Sequence, residues 1–501
     1  MPDQRERERA KIDGRAAFAA AAYLMGIGLI FLLERVGASE GLVHALGPLF
    51  ALAGLALLGV LTRSTRVPAF FAADRAIPAP YAGLAFAAIA AGLVLCLRLS
   101  GDSPLPLAGV AIGLCISALV IGPLLRATNA SALSDLLATR FPSLVLRLYF
   151  AGLLFAIGAL VAAAGLATAV DAFMTLFAPS RATAAIVVAI ILALMIVPGG
   201  LAGLLWGGAA SAGIIILILA LPIAMQFFAS DGVIAPLLGA AGVGRDALAR
   251  AWSAGDAVDP KAQFLVVLAS TLAIAALPPL TSAAIGGSGQ RQALRASAFG
   301  LAFTAFVILA AFVDLVVWPA PLGAMTGGLK SSAMLLAALM LAGAGVHSAS
   351  RAWGANAGGA YDRYMPLASQ RLARSRTLML ALIALCAALI VRLPFDPKLA
   401  LVGAAALSLG LIAPVLALAF SPRTTSTHAA AAAFVSLATV LILGALESRV
   451  PDAGRLLIGA LCAAAAGFIV GWSSAIFSPG EREAPPARRD LFIDAPLDPG
   501  N

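Results

Sequence analysis

The sequence predicts an all-α polytopic membrane protein, and three observations carry that prediction. Hydrophobic residues make up 61% of the 501 residues and charged residues only 11%, against about 25% charged in soluble domains. Apolar runs of roughly 20 residues, the length at which a helix crosses a bilayer core, recur along the whole chain. These runs are rich in Ala, Leu and Gly and lack the short alternating segments of a barrel. Helices and closed barrels are the two structures that satisfy every backbone group in lipid.

Fourteen runs are predicted as spans: 15–34, 43–62, 79–98, 104–125, 146–173, 182–205, 207–228, 263–283, 296–319, 331–352, 375–394, 398–420, 428–446 and 455–475. With the N-terminus in the cytoplasm, basic residues favour the inner loops by about two to one, which orients both termini inward. Segment 1–14 is then cytoplasmic, and 15–62 forms peripheral spans. The first span reads as an uncleaved anchor, because its apolar core exceeds the ~7–15 residues of a signal sequence. Residues 229–262 form the largest external loop, with Asp231, Arg245, Arg250, Asp256, Asp259 and Lys261. Residues 428–475 hold two C-terminal spans, and the polar, proline-rich stretch 477–501 reads as a disordered cytoplasmic tail. The expected location is a bacterial inner (plasma) membrane, with the lipid bilayer as the main partner.

Composition also excludes. The net charge of +9 belongs to helix-orienting loops, so no nucleic-acid partner is expected. Cys96, Cys115, Cys386 and Cys462 lie singly in apolar runs, without metal-ligand or disulfide spacing. His44, His347 and His428 are scattered. Gly199-Gly200 and Gly286-Gly287 lack the lysine of a phosphate loop. No cofactor and no enzyme chemistry are implied.

Charges inside spans are costly and mark candidate functional positions; they are Asp171, Asp314, Arg98 and Arg351, the last two near span ends where their stems can snorkel. Helix breaks are a stronger signal, since transporters bind near the midplane where helices unwind. Residues 263–287, QFLVVLASTLAIAALPPLTSAAIGG, carry Pro278 and Pro279 in mid-run. Two amides are missing there, and carbonyls near Ile274–Leu277 are freed. Residues 82–92, framed by Gly83 and Gly92, are the second candidate; close packing of small residues is the competing reading of those glycines. These are the third and eighth spans, five apart. An odd repeat inverts its second copy, so 79–228 and 263–420 are predicted as two five-helix repeats of an inverted-repeat transporter core.

Several motifs, in order, resemble the sodium:solute symporter family, especially its cation–acetate symporter branch. Phe70-Phe71-Ala72-Ala73-Asp74-Arg75-Ala76-Ile77-Pro78 resembles the signature F-x-x-A-G-R-x-(V/L/I)-P, and Gly83-Leu84-Ala85 stands where the family reads N-G-(L/M)-A. Leu133 to Phe141, LSDLLATRF, resembles D-F-L-x-x-R-F/Y. Pro198-Gly199-Gly200-Leu201 with Trp206 resembles Y/F-G-G-(L/M)…W. Ala275-Ala276-Leu277-Pro278-Pro279 resembles A-G-L-P-H, and Gln290 to Arg295 the R-E-A-R-R region behind it. Asp362-Arg363-Tyr364 resembles H/E-D-L-Y, and Ser421 to Thr425 resembles W-K-R-T-T.

The resemblance implies a five-plus-five inverted repeat with extra helices, working by alternating access. It implies import of a small organic solute, such as the monocarboxylate acetate, driven by sodium. Solute contacts then fall on Gly83, Ala88, Gly92, Leu277, Pro278 and Pro279. The implied sodium site is incomplete. The family's core-helix-one Asp falls on Ile89, beside the carbonyls of Ala87 and Ala90. Its Ser-Thr pair falls on Val346-His347, with Gly343 supplying a carbonyl. A hard cation needs oxygen ligands, which Ile89 and Val346 lack; Ser348 and Ser350 lie one helix shift away. His347 offers a proton-linked group instead. The alternative is a transporter-derived sensor that acts through a separate signalling partner.

Overall fold

In the computed structural model, residues 21–97, 105–128, 130, 132–229, 260–317, 324–357, 368–421, 423–446 and 453–477 are described. The N-terminal segment, most of the 229–262 loop, Arg98, Asp362-Arg363-Tyr364 and the tail lie outside them. Within the described residues the chain is helical. Helices α1 (21–35) and α2 (Glu40–Leu61) precede a short α3 (Val67–Ala72). The first predicted repeat contains α4 (Ala79–Cys96), α5 (Leu105–Ile116), α6 (Gly122–Ala127), α7 (Leu133–Arg140), α8 (Leu144–Phe177), α9 (Arg181–Ile196) and α10 (Leu201–Ala229). The second contains α11 (Pro260–Ala275), α12 (Ser282–Ile285), α13 (Gln290–Val317), α14 (Ala324–Arg351), α15 (Ala368–Arg392), α16 (Pro397–Leu407) and α17 (Ala413–Ala419). Helices α18 (Ser426–Leu446) and α19 (Ala453–Phe477) close the chain.

Ten of these elements are long and apolar enough to cross a membrane, or eleven when the bent pair Lys261–Ala275 and Pro278–Ile285 counts as one span. Predicted spans also fall on 21–35, Arg181–Ile196 and Gln290–Val317; among the described residues Arg181–Ile196 is a shorter apolar helix. The boundary between the sixth and seventh spans differs from the predicted 205–207. Hydropathy runs on through Pro198-Gly199-Gly200, but the chain turns there: Gly200 adopts φ +59°, and its amide donates back to Ile196 at 2.7 Å. Left-handed backbone favours glycine, so the Gly-Gly pair ends α9 and restarts the helix at Leu201.

The architecture centres on α14. Its apolar stretch is 89% buried, against 28% for α18 and α19, so α14 is a core element and the last two helices face lipid. Helix α8 has 34 residues, about 51 Å at 1.5 Å per residue; it outruns a core of about 30 Å. It packs along α14 through small residues, with Gly158 against Gly345 and Ala349. Without a hydrophobic drive between helices in lipid, such close backbone approach is what holds them together. Helix α4 lies between α10, α13 and α14.

Helix α4 runs unbroken through residues 82–92. The glycines there are spacers. A Cβ on Gly83 would lie 2.7 Å from Phe299 Cβ and 2.8 Å from the Ala296 carbonyl oxygen, and one on Gly92 would lie 2.2 Å from the Ala337 carbonyl oxygen. Of the two candidate breaks, only the one at Pro278-Pro279 is present.

Candidate functional site

The break in the second repeat follows from its prolines. Helix α11 ends at Ala275, Leu277 is extended at ψ 113°, and Pro278–Thr281 form a 3-10 turn before α12. The chain bends by 51°. Pro278 and Pro279 have no amide to offer the carbonyls of Ile274 and Ala275 one turn earlier. Thr281 Oγ1 donates to the Pro278 carbonyl and Ser282 Oγ to the Pro279 carbonyl, each at 2.8 Å. All four residues of the turn are buried.

Beside the break lies a small cavity between α7, α8, α12 and the end of α14, lined by Ser134, Pro278, Thr281, Ser282, His347, Ser348 and Arg351. The space open to the centre of a water molecule is about 20 Å³, more than the ~10–15 Å³ that one water needs. His347 and Arg351 are one helical turn apart and share a face. Arg351 is 2% exposed. It does not snorkel, as its place near a span end suggested, but donates to Asp135 of α7 at 3.0 Å and lies over the Phe71 ring at 4.8 Å. Its charge is held inside the protein by a carboxylate and an aromatic face. Asp135 and Ser134 belong to the LSDLLATRF stretch. That stretch was visible in the sequence; the partner of its Asp, 216 residues away, was not.

The separate motifs meet around this site. Arg376 of α15 lies over Phe70 at 5.3 Å and donates to the carbonyls of Val197 and Pro198. Ile77 donates its amide to the Gly286 carbonyl, and Gln292 donates to the Ile77 carbonyl. Arg140 donates to the carbonyls of Ala419, Ser421 and Thr424. The lead-in to α4, the turn before α10, the region behind the break and the SPRTT stretch are therefore stitched together by side chains reaching for backbone carbonyls. The lead-in carries its own surprise. Ala73, Asp74 and Arg75 are all left-handed, at φ 50°, 51° and 54°. Asp74 stands where the family pattern has glycine; Asp tolerates this region better than most residues, and its carboxylate receives Arg66 at 2.7 Å.

The predicted site residues separate. Leu277, Pro278 and Pro279 form the break, and Pro278, His347 and Ser348 line the cavity. Gly83 faces α13 and Gly92 faces α14, while Ala88 is buried in α4. Ala87, Ile89, Ala90 and Val346 are buried too. A Cβ on Gly343 would lie 2.9 Å from Met195 Cε and 3.2 Å from Leu204 Cδ1, an apolar setting. Ser350 donates to the Ser375 carbonyl, toward α15. Among the other in-span charges, Asp171 lies 3.8 Å from Arg181, both more than a third exposed, a pair worth under about 1 kcal/mol. The side chain of Asp314 lies outside the described residues. Among the described residues no group of three or more His, Cys, Asp or Glu could hold a metal ion.

No family model and no curated protein matches this sequence. In three dimensions the chain is similar to a Na+-coupled sialic acid symporter solved in a substrate-bound outward-open state, with 16% sequence identity and a TM-score of 0.69 over 89% of this chain and 99% of that one. At that identity the likeness shows the fold. This is an integral multi-pass membrane protein with an all-helical fold shared with that symporter.

Proposed function

We propose that the protein is a secondary active transporter that moves a small organic solute across the bilayer by alternating access. A core of five plus five helices rocks around the broken α11–α12 segment, within fourteen spans and with both termini cytoplasmic. One observation supports this reading: the break at Pro278-Pro279 lies inside a fold shared with a symporter, and unwound backbone of this kind is where transporters bind solute and ions. Monocarboxylates such as acetate are the first class to test, from the branch its motifs resemble. In this reading the driving ion is not sodium bound between α4 and α14. The positions that would supply side-chain oxygens there are Ile89 and Val346, both buried and apolar, and a hard cation needs oxygen ligands.

The same two residues favour a second reading, a transporter-derived sensor that signals through a separate partner. Uptake by purified protein in liposomes separates the two. Labelled acetate, pyruvate, sialic acid and neutral amino acids are offered to wild type and to the Pro278→Ala/Pro279→Ala variant. Transport is supported if one solute accumulates through wild type and the variant loses it. No accumulation of any solute favours the sensor.

A further inference from the structure

The wall of the cavity beside the break includes Leu133, Leu154 and Ile285, and a few polar groups are set into it. His347 Nε2 and Ser134 Oγ are buried without a hydrogen-bond partner, and both residues are 2% exposed and line it. A buried polar atom left unmade costs about 1–3 kcal/mol. Two such atoms in one cavity mark a place where a ligand completes the bonds. The lining says which kind. The Ser134 hydroxyl and the N–H of a neutral imidazole are donors. The Arg351 guanidinium supplies positive charge on the same face as His347, and a guanidinium cannot accept a hydrogen bond. Thr281 and Ser282 already spend their hydroxyl protons on proline carbonyls. With the imidazole proton on Nε2, the two groups still seeking a partner can both donate to one acceptor, and the guanidinium beside them, already paired with Asp135, offers a bound cation no acceptor.

We propose that this cavity is a binding site for a small monovalent anion of halide size, held by His347 Nε2–H and Ser134 Oγ–H in the field of Arg351. The roughly 20 Å³ open to the centre of a water molecule accommodates a single ion of chloride size. The anion bridges α7 to α14 next to the break. The site shares His347 with the positions the resemblance implies for a cation, but it does not depend on the transport reading, because binding is measured on resting protein.

Chloride is titrated against gluconate at constant ionic strength, with purified full-length protein in detergent, and the melting temperature is followed. The expected result is a saturable rise with chloride that is absent with acetate. Ser134→Ala and His347→Phe should each shift the chloride midpoint upward by about tenfold or more, the loss of one hydrogen bond to a charged group. His347→Gln, which keeps an N–H donor, should retain part of the effect. Chloride-35 NMR line broadening on wild type alone, displaced by bromide, gives a readout that needs no variant. The proposal is overturned by equal melting in chloride and gluconate with no line broadening, as for a resident water. It is also overturned by a chloride effect unchanged in both variants, or by stabilisation that follows acetate and not chloride.

Discussion

Replacing Arg351 by methionine keeps most of the side-chain volume and removes the cation, leaving Asp135 in place. Arg351 is 2% exposed and Asp135 15%. Breaking a buried ion pair by removing one member costs about 3–5 kcal/mol, because the remaining charge has no compensation. The partial exposure of Asp135 lets water share that burden, so the lower end, about 3 kcal/mol, applies. The lost stacking on Phe71 adds about 1 kcal/mol. Soluble proteins unfold with about 2 cal/mol/K per residue, which converts 3–4 kcal/mol over this chain to about 3–4 °C; helices that persist in detergent lower the entropy and enlarge the shift. Thermal melting of the purified protein therefore puts Arg351→Met at least 3 °C below wild type. The double variant Arg351→Met/Asp135→Asn should regain most of the loss, since no buried charge is then left alone. Arg351→Met melting within 1 °C of wild type, or a double variant no better than the single, would refute the buried pair.

Other outcomes follow from the same geometry. Gly92→Leu puts a side chain where the Ala337 carbonyl oxygen lies 2.2 Å from an added Cβ and should abolish folded yield by size-exclusion chromatography, whereas Gly213→Ala, with nothing within 4 Å, should leave it unchanged. Asp74→Gly relieves a left-handed non-glycine residue, worth about 1 kcal/mol, at the loss of an exposed pair worth less than that; melting should hold steady or rise, and Asp74→Val should fall by about 1–2 kcal/mol. Pro278→Ala/Pro279→Ala restores two backbone amides, so it should fold with normal melting while uptake is lost; normal uptake would remove the break from the mechanism.

The sequence made some of this legible for definite physical reasons. Apolar runs of bilayer length mark helices because lipid leaves the backbone no other choice, and the Pro278-Pro279 break is legible because a missing amide is a property of the residue itself. Gly83 and Gly92 were ambiguous because a glycine shows only that space is needed, not which neighbour fills it; Phe299 and Ala337 answer that question from over 200 residues away. Arg351 reads locally as a residue near a span end, and only the fold brings Asp135 to it. The turn at 198–200 escaped hydropathy, since glycine and proline do not interrupt an apolar run, although the left-handed Gly200 is the kind of position a Gly-Gly pair signals. The Ser134–His347 cavity has no local signature at all: its two unpartnered atoms come from segments joined only by packing.

Concentrative uptake into proteoliposomes tests the central claim most directly, with sodium and proton gradients imposed separately on the solute that wild type accumulates. The account predicts accumulation that persists when sodium is replaced by potassium or choline on both sides. Accumulation that vanishes without sodium and rises steeply with it would contradict the reading of Ile89 and Val346. Failure of any solute to accumulate under either gradient would contradict coupled transport itself.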